Sequence, residues 1–188
     1  MNRRVAVLLG VAGVWLGCHG NLLKISVDQS AETVVDHGTV VENLVGDLGF
    51  SDFLDMDLTA ASELQNQGVE PGDIQEVYLT SFQLEAVDPQ DADLSFLSDM
   101  TISVEAPDLP SVVIAEAHDF PVGEPLVDFD LKDVDLTDYV VSQSMTFTTD
   151  VTGHRPDADT TVDATFSVSV GVTRQGACNY IKRNKNDT

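Results

Sequence analysis

The 188-residue sequence contains few cysteines, few basic residues and a single tryptophan. Its two cysteines, Cys18 and Cys178, form no CxxC pair and no metal-type spacing, which excludes a cysteine-based zinc site. A disulfide between them requires that the chain is not processed at Cys18. The chain contains nine lysines and arginines in total, compared with 32 aspartates and glutamates. The resulting net charge of -23 excludes nucleic acid as a partner, because such a surface repels phosphate backbones.

Sequence motifs of common enzyme classes are also missing. The chain has no HExxH, P-loop, GxGxxG or GxSxG pattern. A Ser/His/Asp site would need His37, His118 or His154 beside a nucleophile, and we interpret each of these as a surface or turn histidine. Paired carboxylates are weak evidence for a glycoside hydrolase here, because acidic residues as numerous as these come close together in any fold. The prediction is therefore a protein that is not an enzyme.

The first eighteen residues have the most specific pattern in the chain. Arg3 and Arg4 precede a run of apolar and glycine residues, Val5 to Leu16, which Gly17-Cys18 closes. This layout is typical of a secretory signal peptide, and the run is shorter than the roughly 20 apolar residues of a membrane span. A small residue directly before a cysteine at this point resembles the lipobox of bacterial lipoproteins.

That resemblance implies that Cys18 is diacylated and becomes the new amino terminus, so that a lipid holds the protein on a membrane. Cys178 would then be a free thiol or part of an intermolecular pair. The alternative is ordinary signal-peptidase cleavage after Gly20, which releases a soluble periplasmic or secreted protein. An acidic surface is repelled by anionic headgroups, so a covalent anchor better explains attachment to a membrane.

Alternating apolar and polar residues predict that the body consists mainly of β-strands. The clearest strand is Val162 to Val172, where six apolar residues share one face. Further strands are predicted at Leu23/Ile25/Val27, Thr33 to Val35, Gly38 to Val40, Phe82/Leu84/Ala86, Ile102/Val104/Ala106, Ser111 to Ala117, Val127/Phe129/Leu131 and Met145/Phe147/Thr149/Val151.

Three segments have helical spacing. Val41, Leu44, Val45 and Leu48 follow i, i+3, i+4, i+7 positions, which predicts a short amphipathic helix that is extended by a turn around Phe50, Phe53 and Leu54. Residues 59–66 form a second candidate helix, followed by the turn Pro71-Gly72-Asp73. A third begins with Asp135 or Thr137 as N-cap and turns three residues inward, namely Leu136, Tyr139 and Val140.

These elements predict a mainly β fold, an antiparallel β-sandwich of about eight strands, immunoglobulin-like or jelly-roll-like, with a few short helices. A parallel sheet is disfavoured because its strands are apolar on both faces and joined by crossover helices. The predicted organisation is a signal peptide (1–17), a lipidated N-terminus with a short tether (18–22), one sandwich domain (23–175) and a C-terminal tail (176–188).

Aspartate accounts for 23 of the 32 acids, and many aspartates lie two positions apart. Calcium needs several oxygens at about 2.3–2.6 Å from one point, but the EF-hand spacing is absent. A solubilising or salt-adapted surface explains the acids without a ligand. We predict no cofactor, with calcium as the alternative at two loops, Asp88, Asp91 and Asp93 in one and Asp128, Asp130, Asp133 and Asp135 in the other.

Together these features predict a lipid-anchored, non-enzymatic domain of the bacterial cell envelope. We expect it on the outer membrane, facing the periplasm or the exterior, as a structural or interaction module with another envelope protein as partner. One alternative is a binding protein for Ca²⁺ or for a small apolar ligand held between the sheets. A second alternative is an envelope hydrolase. The body loosely resembles uncharacterised β-sandwich lipoproteins in its strand rhythm, a likeness that transfers no functional residues.

Overall fold

The computed structural model describes residues 23–38, 43–46, 66, 68–142 and 145–173. Within these residues the chain forms nine strands, one complete α-helix and a 3-10 turn at Pro71–Asp73. The strands are β1 (Leu23–Val35), β2 (Asn43–Gly46), β3 (Ile74–Asp88), β4 (Leu97–Ala106), β5 (Leu109–Ala117), β6 (Leu126–Asp128), β7 (Asp130–Leu131), β8 (Thr146–His154) and β9 (Thr160–Val172), and the helix is α1 (Thr137–Val141).

The described strands form two antiparallel sheets. The first has the order β1-β9-β3-β6 and the second the order β2-β8-β4-β5-β7. β6 and β7 belong to one extended segment that leaves the first sheet at Phe129 and joins the second. Counted by such segments, the described part of the sandwich has eight, and the predicted antiparallel β-sandwich is confirmed.

The ladder between β1 and β9 defines two ends of the sandwich. Leu23 pairs with Val172 at one end and Val35 with Thr160 at the other, with no register shift between them. We call the first the terminal end and the second the crossover end, because the β8–β9 loop, residues 155–159, passes from one sheet to the other there. The 13 residues of β1 span roughly 40 Å at a rise of about 3.3 Å per residue.

Strand β9 occupies the middle of the first sheet and supplies much of the core. Its polar residues alternate with apolar ones and point away from the core, where they are partly exposed. Burial of one large apolar side chain stabilises the fold by about 1.5–3 kcal/mol. The face predicted from the sequence is confirmed, since all six of its residues are at most 3% exposed: Val162, Ala164, Phe166, Val168, Val170 and Val172.

Phenylalanine rings connect the two sheets through the core. The ring of Phe147 in β8 lies 5.8 Å from that of Phe166 in β9, which stacks on Phe82 of β3 at 6.3 Å. Phe82 in turn lies 4.9 Å from Phe129, which meets Phe120 edge-on at 6.4 Å. The Phe129 N–H also donates to the Phe82 carbonyl at 3.0 Å, so the residue where the chain changes sheets is fixed in the core.

Helix α1 forms where the capping pattern predicts it. Leu136 occupies the N-cap position, between the two residues predicted for that role, and the Asp135 carboxylate accepts the Thr137 N–H at 2.9 Å and its hydroxyl at 2.5 Å. The helix start is joined to β3, because the Leu136 N–H donates to the Val77 carbonyl at 2.8 Å and the Val77 N–H donates to the Thr137 hydroxyl at 3.1 Å. The three inward residues are buried as predicted, Leu136, Tyr139 and Val140.

The helix predicted from Val41 to Leu48 is wrong where the structure describes it. Residues 43–46 form β2, which pairs with β8 from Asn43 opposite His154 to Gly46 opposite Val151. Gly46 disfavours a helix, because a glycine inside a helix lowers its stability by about 1 kcal/mol relative to alanine. The β-branched Val45 favours a strand. The edge of β8 supplies the hydrogen bonds that an isolated short helix would have to form alone.

The remaining predictions divide into confirmed strands and segments outside the described residues. Residues 33–35 are the last part of β1 and not a separate strand, and 71–73 form a turn as predicted. Residues 39–40, the turn around 50–54 and the helix at 59–66, except the helical Asn66, lie outside the described residues. No helix in the described part of the chain is long and apolar enough to cross a membrane. The other predicted strands lie within β1, β3, β4, β5, β6, β7 and β8, except that Phe129 lies between β6 and β7 and Met145 directly precedes β8.

Candidate functional site

The predicted lipidation residue, Cys18, lies outside the described residues, and so does Cys178. The described part of the fold begins at Leu23, which is the first residue of β1 and lies five positions after Cys18. Leu23 pairs with Val172 of β9. The chain that comes from Cys18 therefore enters the sandwich at the terminal end.

Asp93, in the first predicted acidic loop, joins two loops at the crossover end. One of its carboxylate oxygens accepts the Ser95 N–H at 2.9 Å and the Ser95 hydroxyl at 2.6 Å, and the other accepts the Gly123 N–H at 2.6 Å. The Ser95 hydroxyl, followed by the two backbone donors, lowers the pKa of Asp93 below its usual value. Both oxygens thus bind donors of the protein, whereas Asp88 and Asp91 are exposed.

The second predicted acidic group is distributed over different elements. Asp128 lies in β6 of the first sheet and Asp130 in β7 of the second, and both are exposed. The Asp128 carboxylate accepts the side-chain amide of Gln83 at 2.6 Å. Asp135 is bonded to the start of α1, and Asp133 is exposed.

A shared metal position is not found in the described part of the chain. There, no three His, Cys, Asp or Glu side chains are grouped so that they could hold one ion. Calcium ligands must converge on one point, and several of the predicted aspartates bind protein donors instead. Calcium binding stays the alternative to the predicted absence of a cofactor, and a titration can check it.

An open cavity of about 440 Å³ lies at the crossover end, between the β3–β4 loop and the β8–β9 loop. Its apolar wall is formed by Phe96 with prolines, and its rim carries carboxylates. The His154 Nδ1 lies 3.0 Å from the Arg155 carbonyl, which can only accept, so this nitrogen donates. A cavity with these groups suits a small ligand that has a cationic or hydrogen-bond-donating group. The cavity is lined by Pro89, Asp91, Ala92, Asp93, Ser95, Phe96, His154, Pro156, Asp157, Ala158 and Thr160.

A second cavity, of about 400 Å³, lies on the outer face of the first sheet. The Ser167 hydroxyl of β9 donates to the Asp28 carboxylate of β1 at 2.5 Å, and the Thr80 hydroxyl donates to the Ser167 carbonyl at 3.0 Å. Hydroxyl and amide groups thus cover this face, whose cavity is lined by Asp28, Gln29, Ser30, Ser81, Gln83, Thr165, Phe166 and Ser167.

His118 belongs to a charged network on the surface beside the second sheet. Its Nδ1 lies 3.0 Å from the Asp99 carboxylate and its Nε2 lies 3.6 Å from that of Glu116, which also pairs with Lys132. The hydrogen bond to Asp99, and then Glu116, raises the pKa of His118. The Thr152 hydroxyl donates to Asp99 at 3.1 Å. In a catalytic triad the hydroxyl would contact the imidazole. Here the Thr152 hydroxyl contacts the Asp99 carboxylate instead, so these side chains form an ion-pair network.

His37 forms a second histidine–aspartate pair, at the crossover end. Its N–H donates to the Asp159 carboxylate at 2.8 Å, and its ring Nδ1 lies 2.5 Å from the same oxygen. Asp159 raises the pKa of His37, and the His37 donors lower that of Asp159. The Gly38 N–H donates to the Pro156 carbonyl at 3.1 Å. These contacts attach the chain after β1 to the β8–β9 loop.

Sequence reasoning did not find either cavity or either histidine pair. His37 and Asp159 are 122 positions apart, and no local spacing relates them. Only the register of β1 on β9 brings them together. In comparisons with known proteins, neither a protein-family model nor a curated protein matches this chain.

Proposed function

We propose that this chain is a lipid-anchored, non-enzymatic domain of the bacterial cell envelope with a structural or interaction role. The observation that carries the proposal is the short distance in sequence between Cys18 and the sheet. Because β1 begins at Leu23, the tether has five peptide steps and reaches at most about 18 Å. A lipid on Cys18 would keep the domain close to the membrane.

The way β1 is held suits such an attachment. All 13 residues of β1 pair with β9 in unbroken register, and β9 is flanked on its other edge by β3. Ile25, Val27, Ala31 and Val35 are buried along the strand. A pull on the anchor would therefore act along a long ladder and a packed core, rather than on a loop.

The charge of the body supports a covalent anchor over adsorption. Between residues 23 and 173 the basic residues are Lys24, Lys132 and Arg155, against all acidic residues of the chain except Asp187. This surface favours solubility, and anionic lipids repel it. A lipid chain supplies the membrane affinity that the surface does not.

The orientation that the anchor would give supports an interaction role. The crossover end lies roughly 40 Å from the terminal end, so it would face away from the membrane. The open acidic cavity with Phe96 and Asp91 lies at that end. A partner protein in the envelope would meet this end first, which makes it the surface that we propose for contact.

Metabolic labelling with a clickable fatty acid tests the anchor. We expect label on the wild type and on Cys178→Ala, and none on Cys18→Ala, because only Cys18 follows the lipobox-like pattern. The Cys178→Ala variant controls for loss of a thiol elsewhere. Unlabelled wild type, or label retained on Cys18→Ala, would refute the proposal. A mature protein that begins after Gly20 in the soluble fraction would establish the alternative cleavage.

A further inference from the structure

Strand β1 is the longest of the four strands that form the edges of the two described sheets. The other three are short, with four residues in β2, three in β6 and two in β7. β1 has 13 residues, contains no proline and pairs with β9 without a register shift. Proteins usually protect a sheet edge by keeping it short, bulged or interrupted by proline, and β1 has none of these features.

The backbone of residues 24–32, which we call the free edge, is available on the side of β1 that points away from β9. Within the residues that the structure describes, no strand pairs with that side. Ile25, Val27 and Ala31 are buried in the core, so the free edge is held in place. Its row of N–H and C=O groups can receive a further strand, which main-chain hydrogen bonds would hold.

A row of three carboxylates crosses the outer face of the first sheet and ends at the free edge. Asp163 of β9 pairs with Glu85 of β3 on one side and with Glu32 of β1 on the other. Glu32 and Glu85 are exposed, and Asp163 is partly exposed. Residues directly opposite each other have Cβ atoms about 4.5–5.5 Å apart, and like charges in such positions destabilise a sheet. A basic residue opposite Glu32, on a strand added beside β1, would offset this repulsion.

The charges along the free edge define a pattern for the added strand. Lys24, Asp28 and Glu32 lie four residues apart on the face that points away from the core, with one serine midway between each pair. All five of these side chains are exposed. Opposite charges stabilise a cross-strand pair, so an acidic residue fits opposite Lys24 and basic residues fit opposite Asp28 and Glu32.

We propose that the free edge binds an extended segment of a partner protein with an excess of basic residues, which joins the first sheet as an antiparallel strand beside β1. The inference rests on the interaction role of the proposed function and needs no lipid anchor. Antiparallel addition continues the pairing of β1 with β9. The outer face of the segment carries the charges, and its inner face carries apolar residues that extend the layer of Ile25 and Val27.

Binding of a designed peptide to the purified full chain tests this pairing. The matched peptide, Lys-Val-Thr-Val-Lys-Val-Thr-Val-Glu, places its lysines opposite Glu32 and Asp28 and its glutamate opposite Lys24 in an antiparallel ladder. The permuted peptide, Lys-Val-Thr-Val-Glu-Val-Thr-Val-Lys, has the same composition and net charge but opposes like charges at Asp28 and Lys24 in either strand direction. Fluorescence anisotropy of labelled peptides should show at least about fivefold tighter binding of the matched peptide.

Two N-methylated forms of the matched peptide test the main-chain hydrogen bonds. In an extended strand, N–H groups of alternate residues point to the same neighbouring strand. Methyl groups on the four valines therefore block one edge of the peptide, and methyl groups on the residues between them block the other. We expect one form to lose binding and the other to retain it. Attraction between charges alone would affect both forms equally, which would contradict strand addition.

Substitutions on the free edge provide the reciprocal test. Asp28→Asn/Glu32→Gln should weaken binding of the matched peptide at least about fivefold. Asp119→Asn/Asp150→Asn removes two exposed acids in and beside the second sheet and should leave the affinity unchanged. Glu32→Gln also removes a carboxylate opposite Asp163, so the first variant should unfold at a urea concentration no lower than that of the wild type. Weaker binding would then not result from loss of the fold.

Four results would overturn the proposal. These are no binding of the matched peptide, equal binding of the permuted peptide, equal binding of the two N-methylated forms, and equal affinities of the two double variants. If the protein alone sediments as a dimer that the matched peptide dissociates, a second copy occupies the free edge and the proposed partner is wrong. Missing fatty-acid label refutes the anchor, whereas missing peptide binding refutes the strand addition alone.

Discussion

Gly153 of β8 lies directly against the backbone of Phe96. A Cβ at position 153 would be 2.3 Å from the Phe96 carbonyl oxygen and 3.0 Å from the Leu97 Cα. The approach belongs to the strand pairing, since Leu97 pairs with Gly153 and the His154 N–H donates to the Phe96 carbonyl at 2.8 Å. The start of β4 can occupy this position only because residue 153 has no side chain.

We therefore expect Gly153→Ala to destabilise the fold by about 1–3 kcal/mol, since backbone atoms have to move to accommodate the methyl group. Gly72→Ala is the matched control, because a Cβ there meets nothing within 4 Å, and its effect should stay within about 0.5 kcal/mol. Urea unfolding of both variants measures the difference. Equal midpoints would contradict the close approach of β8 to Phe96.

The β4–β5 turn holds Asp108 in the left-handed region, with a φ of 65°. Asparagine and aspartate tolerate this conformation, whereas a β-branched residue does not. Asp108→Val should cost about 1–2 kcal/mol, although the side chain is exposed, and Asp108→Asn should be nearly neutral. Thermal unfolding of the pair checks this, and a neutral valine variant would contradict the turn conformation.

The network around His118 should make stability depend on pH. Its raised pKa means that the ion pair stabilises the fold fully below the ordinary value of 6.5, and that this contribution is lost as pH rises through the folded-state pKa. The pKa values of Asp99 and Glu116 are lowered from 3.8 and 4.5, so their contribution is lost as pH falls through those lowered values. The network should contribute most between about pH 4.5 and 6.5.

His118→Gln tests this pH window. The difference in urea midpoint between the wild type and the variant should be largest near pH 5.5 and should vanish by about pH 9. Lys132, which pairs with Glu116, is present in both proteins, so it does not contribute to the difference. A difference that is constant across this range would show that the imidazole charge has no part in the network.

Sequence patterns predict elements whose residues satisfy a local rule. The alternation in β9 predicts its buried face because a strand between two neighbours buries one side throughout. Asp135 before α1 predicts a cap because the carboxylate reaches a backbone N–H two residues away. Residues 43–46 were predicted wrongly because the edge of β8, which is distant in sequence, supplies hydrogen bonds that no local pattern records.

The candidate sites depend even more than the strands on contacts between residues that are distant in sequence. Asp93 meets Gly123 across 30 positions, and His37 meets Asp159 across 122. Both contacts follow from strand register and loop packing, and neither residue pair has a spacing that signals it. The aspartates predicted as calcium ligands were selected for local density, which is a property of the whole acidic surface of this chain.

Calcium should not stabilise the described part of the fold specifically. A site at 100 times its Kd would add about 2.7 kcal/mol, but the Asp93 carboxylate and the Asp135 oxygen that caps α1 already accept backbone donors. We expect the melting temperature in calcium chloride to equal that in sodium chloride of the same ionic strength, and EDTA to have no effect. A gain specific to calcium would contradict this and identify a calcium site.

Asp93 should stabilise the crossover end, because its carboxylate accepts hydrogen bonds from two loops there. Asp93→Ala removes the bonds to Ser95 and Gly123, and we expect a loss of about 1–3 kcal/mol, because hydrogen bonds to a charged group exceed neutral ones. The exposed Asp91→Ala is the matched control in the same loop and should change stability by less than about 0.5 kcal/mol. Because the pKa of Asp93 is lowered from 3.8, the difference between the variants should be present at neutral pH and disappear as pH falls through the folded-state value. Equal unfolding free energies at neutral pH would mean that Asp93 does not join the two loops in solution.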